Sequence, residues 1–117
     1  MKIKTSNLTD IAFEWAVAKA EGTDKKSLAD FARLRGYYAY TTDWAQGGPI
    51  IEREEICLKR QLPCSVGYEW NAWIWTKHRA KGGSSAGGSG ATPLVAAMRC
   101  YVASKLGDEV EIPEELL

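Results

Sequence analysis

Apolar residues recur at helical spacing in two stretches of this chain, one near each end. In the first stretch, Ile11, Trp15 and Ala18 share one helical face. Thr9 before them is a good N-cap residue, because its hydroxyl can accept a hydrogen bond from the first turn. Gly22 stands where a left-handed glycine commonly ends a helix. We therefore predict a helix between Thr9 and Gly22.

A second amphipathic helix is predicted near the C-terminus. Thr92 is its N-cap, Pro93 suits the first helical position, and Gly107 ends it. One stripe along this helix carries Leu94, Ala97, Met98, Tyr101 and Lys105. Two helices of this kind can cover one face of a small sheet.

Alternation with a period of two marks the strongest strand, residues 66–76, which read VGYEWNAWIWT. One face of this strand is rich in apolar and aromatic side chains and is predicted to enter the core. The other face still carries Trp73 and Trp75. Two large rings on a half-polar face indicate a partner, which can be a helix, a second subunit or a planar ligand. A homo-oligomer is one of the expectations that follow.

The middle of the chain is predicted to be a loop followed by a second strand. Gly47, Gly48 and Pro49 are strong turn formers, so residues 41–49 are interpreted as a loop. Residues 50–58 follow as a strand. Neither parity of this strand is wholly apolar, which indicates a bulge near its centre.

Residues 82–90 are nearly all glycine and serine, a composition typical of flexible linkers. We predict a mobile natural loop or an engineered linker here, on which no core contact depends. The chain as a whole is predicted to be a single domain over residues 1–117 with an α+β fold. That fold is a small antiparallel sheet of about three to five strands with two main helices packed on it.

The charge balance argues against several functional classes. Fifteen basic and fifteen acidic residues give a net charge of zero, so no strong field draws the protein to nucleic acid or to an anionic membrane. No apolar run approaches the length of a membrane span, and no signal peptide is evident. Three cysteines without a C-x-x-C pair and one histidine predict reduced thiols, no metal site and no cofactor.

Several segments of the chain together resemble a known family. They are the opening MKIKTSNLTDIAFEWAVAKAEG, the central TTDWAQGGPIIEREEI, the W-x-A of Trp70 to Ala72, and the closing TPLVAAMRCYVASKLGDEVEIPEEL. These segments resemble the NinX-like family of small tailed-bacteriophage and prophage proteins. The resemblance implies a phage accessory protein that works in the host bacterial cytoplasm. It carries over no catalytic or binding residue.

No catalytic constellation is evident in the sequence. His78 lies between Lys77 and Arg79, as a solvated side chain would, and no cysteine stands at a recognised spacing from it. Gly47 and Gly48 lack the following lysine of a P-loop, and no G-x-S-x-G elbow occurs. The residues therefore favour a non-enzymatic function.

A ligand site is easier to assemble. Adjacent glycines at 47 and 48 let backbone N–H groups approach an anion, Trp44 can stack on a base, and Arg99 can offer phosphate a planar fork. The alternative is structural, with Trp44 anchoring a loop, the glycines forming a turn and Arg99 pairing with a glutamate. The predicted ligand-binding residues are Thr42, Asp43, Trp44, Gln46, Gly47, Gly48, Trp73 and Arg99.

The phage resemblance and this loop lead to a functional hypothesis. The protein is expected to sequester a small nucleotide-like signal of host immunity, as an anti-defence sponge. This step rests on analogy with other small phage proteins. The alternative is a protein-interaction module that inhibits a host or phage protein through its tryptophan-rich face.

Overall fold

The computed structural model describes residues 1–22, 39–60, 70–74 and 86–116. Predictions about Cys64, Trp75, His78 and residues 82–85 lie outside this part of the chain. The described elements, in chain order, are β1 (Lys2–Lys4), a 3₁₀ turn (Thr5–Asn7), α1 (Asp10–Glu21), α2 (Trp44–Arg53), β2 (Cys57–Arg60), β3 (Trp70–Ile74), β4 (Ala86–Gly90), α3 (Pro93–Leu106), β5 (Glu109–Glu111) and a second 3₁₀ turn (Glu114–Leu116).

Two small antiparallel sheets and the packed helices confirm the predicted α+β fold. β1 pairs with β5, which brings Ile3 opposite Val110 and joins the two ends of the chain. The other sheet has the order β2-β3-β4, with Ala72 of β3 between Leu58 and Gly88. Ala72 is buried, as the alternation of this strand predicted. The face of β3 assigned to the core is therefore correct over the described residues.

α3 is the central helix of the core. It packs against the three-stranded sheet and against α1. A helix that is apolar on nearly all sides must be enclosed by other elements. The sequence predicted one buried stripe on this helix, whereas the structure buries residues on several of its faces. Its buried residues are Leu94, Ala96, Ala97, Met98, Cys100, Tyr101, Val102 and Ala103.

α1 confirms the first predicted helix. Thr9 occupies the N-cap position with an extended backbone, although its side chain makes no capping hydrogen bond. Gly22 ends the helix at φ 79°, and its N–H donates to the carbonyl oxygens of Ala18 and Lys19. This left-handed conformation is accessible to glycine because it has no Cβ.

The predicted loop over residues 41–49 is correct only as far as Asp43, and the predicted strand over 50–58 is correct only at Cys57 and Leu58. The chain forms α2 from Trp44, and β2 begins only at Cys57. Asp43 caps α2, since its Oδ1 accepts a hydrogen bond from the Ala45 N–H at 2.9 Å. The proline ring clashes with the backbone N–H and the Cβ of the preceding residue in the helical region, and Gly48 before Pro49 avoids the Cβ part of that clash. Strong turn formers therefore occur inside a helix here.

The glycine-serine segment also differs from the prediction over its second half. Ala86–Gly90 forms β4 at the edge of the three-stranded sheet. Gly88 and Gly90 lie so close to α3 that a Cβ on either would overlap atoms of that helix. Core contacts therefore depend on these glycines, which a flexible linker would not require.

A charged network joins the C-terminal ends of the three helices. Arg53 Nη2 contacts Glu21 Oε2 at 2.6 Å, and the Tyr101 hydroxyl donates to the same oxygen at 2.6 Å. Lys105 Nζ reaches Glu54 Oε1 at 3.3 Å. Burial opposes ionisation of Glu21, but the hydrogen bonds from Arg53 and Tyr101 outweigh it and hold the pKa of Glu21 below its ordinary value.

Candidate functional site

A cleft of about 690 Å³ lies between the start of α1, residues 39–42 and α3. We call it the first cleft. Ligand sites of this size combine apolar walls with polar groups that orient the ligand, and polar residues make up about half of the lining here. Its apolar lining is Leu8, Ile11, Phe13, Ala39 and Val95. Its polar lining is Thr9, Asp10, Glu14, Thr41, Thr42 and Arg99.

Glu14 is a buried carboxylate that fixes one wall of the first cleft. Its Oε1 accepts the Thr41 N–H at 3.0 Å, and its Oε2 accepts the Thr41 hydroxyl at 2.9 Å. Burial raises the pKa of Glu14, and the hydrogen bonds from Thr41 oppose that rise without cancelling it. The wall formed by residues 39–42 is therefore tied to α1 through one side chain.

Arg99 reaches the first cleft from α3 and is held in one orientation. Its Nη1 donates to the Ser89 carbonyl oxygen at 2.9 Å, and its Nη2 donates to the Leu8 carbonyl oxygen at 3.2 Å. The guanidinium carbon lies 5.4 Å from the ring centroid of Phe13, a cation–π distance. The cation is thus placed at the cleft before any ligand arrives.

Asp10 adds backbone strain at the same cleft. It is the first residue of α1 and has φ 52°, in the left-handed region. Aspartate enters this region more easily than most residues, but the conformation remains uncommon outside glycine. Residues with strained backbones cluster at functional sites. Glu55 has a similar φ of 54° and does not line the first cleft, so the backbone of Asp10 describes one wall of the cleft and does not by itself mark a site.

The structure brings together two of the eight predicted ligand-binding residues. Thr42 and Arg99 both line the first cleft. Trp44 is 53% exposed and does not line it. Trp73 is half-buried in β3, where it pairs with Cys57 and Gly87 away from this cleft. Neither Trp44 nor Trp73 therefore lines the first cleft.

Four of the predicted ligand-binding residues belong to the framework of α2. Asp43 caps the helix, and Gln46 Oε1 accepts the Ala39 N–H at 2.8 Å. The predicted anion nest at Gly47 and Gly48 is wrong because both residues are helical. The Gly47 N–H donates to the Asp43 carbonyl oxygen at 2.9 Å and so does not point at an anion.

Sequence reasoning missed Glu14 and Thr41. One signal was available for Glu14, which stands within the otherwise apolar run IAFEWAVA. An acidic residue amid apolar helical neighbours is buried only when its charge is paired or hydrogen-bonded. No local pattern marks Thr41, because its partner is 27 positions earlier in the chain.

The thiols and carboxylates of the described residues form no metal site. No group of three or more His, Cys, Asp or Glu residues comes together in residues 1–22, 39–60, 70–74 and 86–116. Cys100 is fully buried, and this burial raises the pKa of its thiol to about 12. A thiol of that kind is a core group and a poor nucleophile.

The raised pKa of Glu14 predicts a pH dependence of stability. The folded state binds this proton more tightly than the unfolded chain, whose carboxyl has its ordinary value of 4.5. The contribution of Glu14 to the free energy of unfolding is therefore complete below that pH and is lost as pH rises through the folded pKa. Glu14→Gln does not titrate, so its stability relative to the parent should improve as pH rises. Urea unfolding of both proteins at several pH values measures this difference.

Glu111 provides the matched control for this measurement. Its carboxylate is exposed, and the N-terminal amine at 2.8 Å lowers its pKa. The contribution of Glu111 to the free energy of unfolding changes with pH in the opposite direction to that of Glu14. It is present above the ordinary pKa of the carboxyl and is lost as pH falls. Glu111→Gln should therefore lose relative stability as pH rises. A Glu14→Gln difference that is independent of pH would contradict the assignment of Glu14 as a desolvated acid.

Comparison with known proteins identifies the family of this chain. No helix in the described part of the chain is long and apolar enough to cross a membrane. No curated protein matched the sequence. A family model described as bacteriophage P22 NinX matches residues 4–105, a span that includes α1, α2, all of α3 except Leu106, and every residue that lines the first cleft. The match confirms the resemblance carried by the opening, central and closing segments, and the chain belongs to this bacteriophage NinX family.

Proposed function

We propose that this phage accessory protein binds and sequesters a small nucleotide-like molecule of the host immune response, in the bacterial cytoplasm. The observation that carries the proposal is the first cleft, where the Arg99 guanidinium meets an apolar wall and the hydroxyl-bearing wall of Thr41 and Thr42. Its volume of about 690 Å³ falls within the range of small-molecule sites.

The placement of Arg99 suits an anionic group. A guanidinium offers a planar fork of N–H donors that matches phosphate oxygens. Two carbonyl oxygens already fix its orientation, so less side-chain entropy is lost when a ligand binds. A phosphate at Arg99 would lie beside the Val95 and Phe13 walls, against which an apolar ring face can pack.

Glu14 holds the hydroxyl-bearing wall of the first cleft in place. Both of its carboxylate oxygens accept hydrogen bonds from Thr41, so residues 39–42 are tied to α1. This link supports a cleft that is formed before the ligand binds, which lowers the cost of binding.

Adding a negative charge to the wall of the first cleft tests whether an anionic nucleotide binds there. Thr42 is exposed and lines the first cleft, so Thr42→Glu adds a negative charge there without disturbing the core. Calorimetric titration with cyclic di- and trinucleotides and cyclic ADP-ribose isomers should show binding to the parent protein. Thr42→Glu should raise the Kd of the bound compound by about tenfold or more, equivalent to about 1.4 kcal/mol.

Ala45→Glu is the matched control for this test. Ala45 is also exposed and lies three positions away in the first turn of α2, but it does not line the first cleft. The added charge is favourable at a helix N-terminus, and the Kd should remain that of the parent. Absence of binding by every compound, or recovery of a chemically altered nucleotide, would contradict sequestration.

The alternative function is a protein-interaction module that inhibits a host or phage protein through its tryptophan-rich face, on which Trp73 is half-buried. Trp44, the most exposed aromatic side chain of the described residues, is a further surface ring that favours this alternative. Trp44→Ala should leave nucleotide binding in the first cleft unchanged. Loss of a host or phage protein partner on Trp44→Ala or Trp73→Ala, with no nucleotide bound by the parent, would favour this alternative.

A further inference from the structure

A second cleft adjoins Arg99. It has a volume of about 630 Å³ and lies among the first 3₁₀ turn, the start of β5 and strands β3 and β4. It is almost as large as the first cleft and is lined by a different set of residues. Arg99 is the residue that the two clefts share.

The guanidinium of Arg99, and not just its aliphatic stem, lies at the boundary of the two clefts. Its Nη1 is 2.9 Å from the carbonyl oxygen of Ser89, which lines the second cleft. Its Nη2 is 3.2 Å from the carbonyl oxygen of Leu8, which lines the first. One positive charge is therefore within reach of both spaces.

The polar groups of the second cleft suit a second nucleoside-like unit. Lys4 lines the second cleft as a further cation beside Arg99 in the lining, and Asp108 adds a carboxylate. Asn71 contributes a polar side chain that already has an interaction within the protein. Ser6 and Glu109 offer partners for sugar hydroxyls. Gly87 is exposed, and because it has no Cβ it contributes only backbone to the lining of the second cleft.

We infer that the second cleft is a second subsite of the same ligand and that Arg99 anchors a phosphate between the two. This inference rests on the proposed function and narrows its ligand class. The sequestered molecule then has two base–sugar units joined through phosphate, one in each cleft. A molecule with a single nucleoside would fill only one cleft.

Paired probes test this inference. Cyclic dinucleotides built from A, G and U are titrated calorimetrically into the protein beside the corresponding mononucleotides AMP, GMP and UMP. Joining two binding units raises affinity by a factor of about 100 or more when both subsites are engaged. At least one cyclic dinucleotide should therefore bind about 100-fold more tightly than its mononucleotides.

Substitutions in each cleft then show whether the two base–sugar units of the dinucleotide bind in different clefts. Ser6 is exposed and lines the second cleft, whereas its exposed neighbour Asn7 lines neither the first nor the second. Ser6→Glu and Thr42→Glu should each raise the Kd of the dinucleotide about tenfold or more, and Asn7→Glu should not. Urea midpoints equal to that of the parent confirm that these variants are folded.

The outcomes separate this inference from the proposed function. Equal affinities for dinucleotides and mononucleotides, or a dinucleotide Kd unchanged by Ser6→Glu, would overturn the second subsite while leaving sequestration in the first cleft intact. Failure of every dinucleotide and mononucleotide to bind would overturn both. Tight dinucleotide binding that is weakened by both Ser6→Glu and Thr42→Glu establishes the two-cleft site.

Discussion

Gly88→Ala is expected to destabilise the protein by about 3 kcal/mol, at the upper end of the usual cost of overpacking. A Cβ at this position would lie 2.7 Å from the Ala96 carbonyl oxygen and 3.0 Å from the Arg99 carbonyl carbon, and it would also overlap the Cys100 nitrogen. These are backbone atoms of α3, so no side-chain rotation can relieve the overlap. Urea unfolding followed by tryptophan fluorescence measures the loss as a lower midpoint.

Gly87→Ala is the matched control, one residue away in the same strand. Its Cβ would meet the Ala72 carbonyl oxygen at 3.7 Å, an ordinary van der Waals distance. Surface substitutions of this kind usually change the free energy of unfolding by about 0.5 kcal/mol or less. If Gly88→Ala were as mild as Gly87→Ala, β4 would not pack on α3, and the segment would behave as the flexible linker that its composition predicts.

The sequence predicts the elements whose signals are local. α1 and α3 begin after Thr9 and Thr92 and are followed by Gly22 and Gly107, as their caps indicate. The strand containing Ala72 shows the alternation of a sheet with one buried face. In these elements the side chains that carry the pattern also make the packing contacts.

The two incorrect assignments depend on contacts distant in sequence. β4 has almost no side chains with which to show a period, and it forms because glycine lets its backbone approach α3 closely. The residues of α2 carry turn formers, yet Gly47 lies against Leu94 of α3 and Ile50 is buried with 1% exposure. The sequence pattern around a glycine does not show which distant helix or core residues the glycine will pack against.

The candidate site was predictable only in part for the same reason. Arg99 and Thr42 have chemistry that points to a ligand, and both line the first cleft. The other lining groups converge from α1 and residues 39–42 through the link between Glu14 and Thr41. The sequence shows which side chains are suited to binding, whereas the tertiary fold decides which of them share a cleft.

Gly47→Ala is expected to destabilise the protein by about 2 kcal/mol, because the overpacking exceeds the gain in helix propensity of up to about 1 kcal/mol. A Cβ here would lie 2.5 Å from Leu94 Cδ1 and would overlap the Tyr40 carbonyl oxygen. Leu94 is buried in α3, so it has little room to move. Urea unfolding measures the loss, and a helix-stabilising effect would contradict the close packing of α2 on α3.

Gly48→Ala should have a much smaller effect, within about 1 kcal/mol of the parent, although it changes the adjacent glycine of the same helix. Its Cβ would meet only Trp44 Cε3 at 3.8 Å, and its gain in helix propensity is offset by the restriction on a residue before Pro49. Gly47 also contacts Tyr40, next to Thr41 of the cleft wall. Gly47→Ala should therefore weaken nucleotide binding in the protein that remains folded, whereas Gly48→Ala should preserve it.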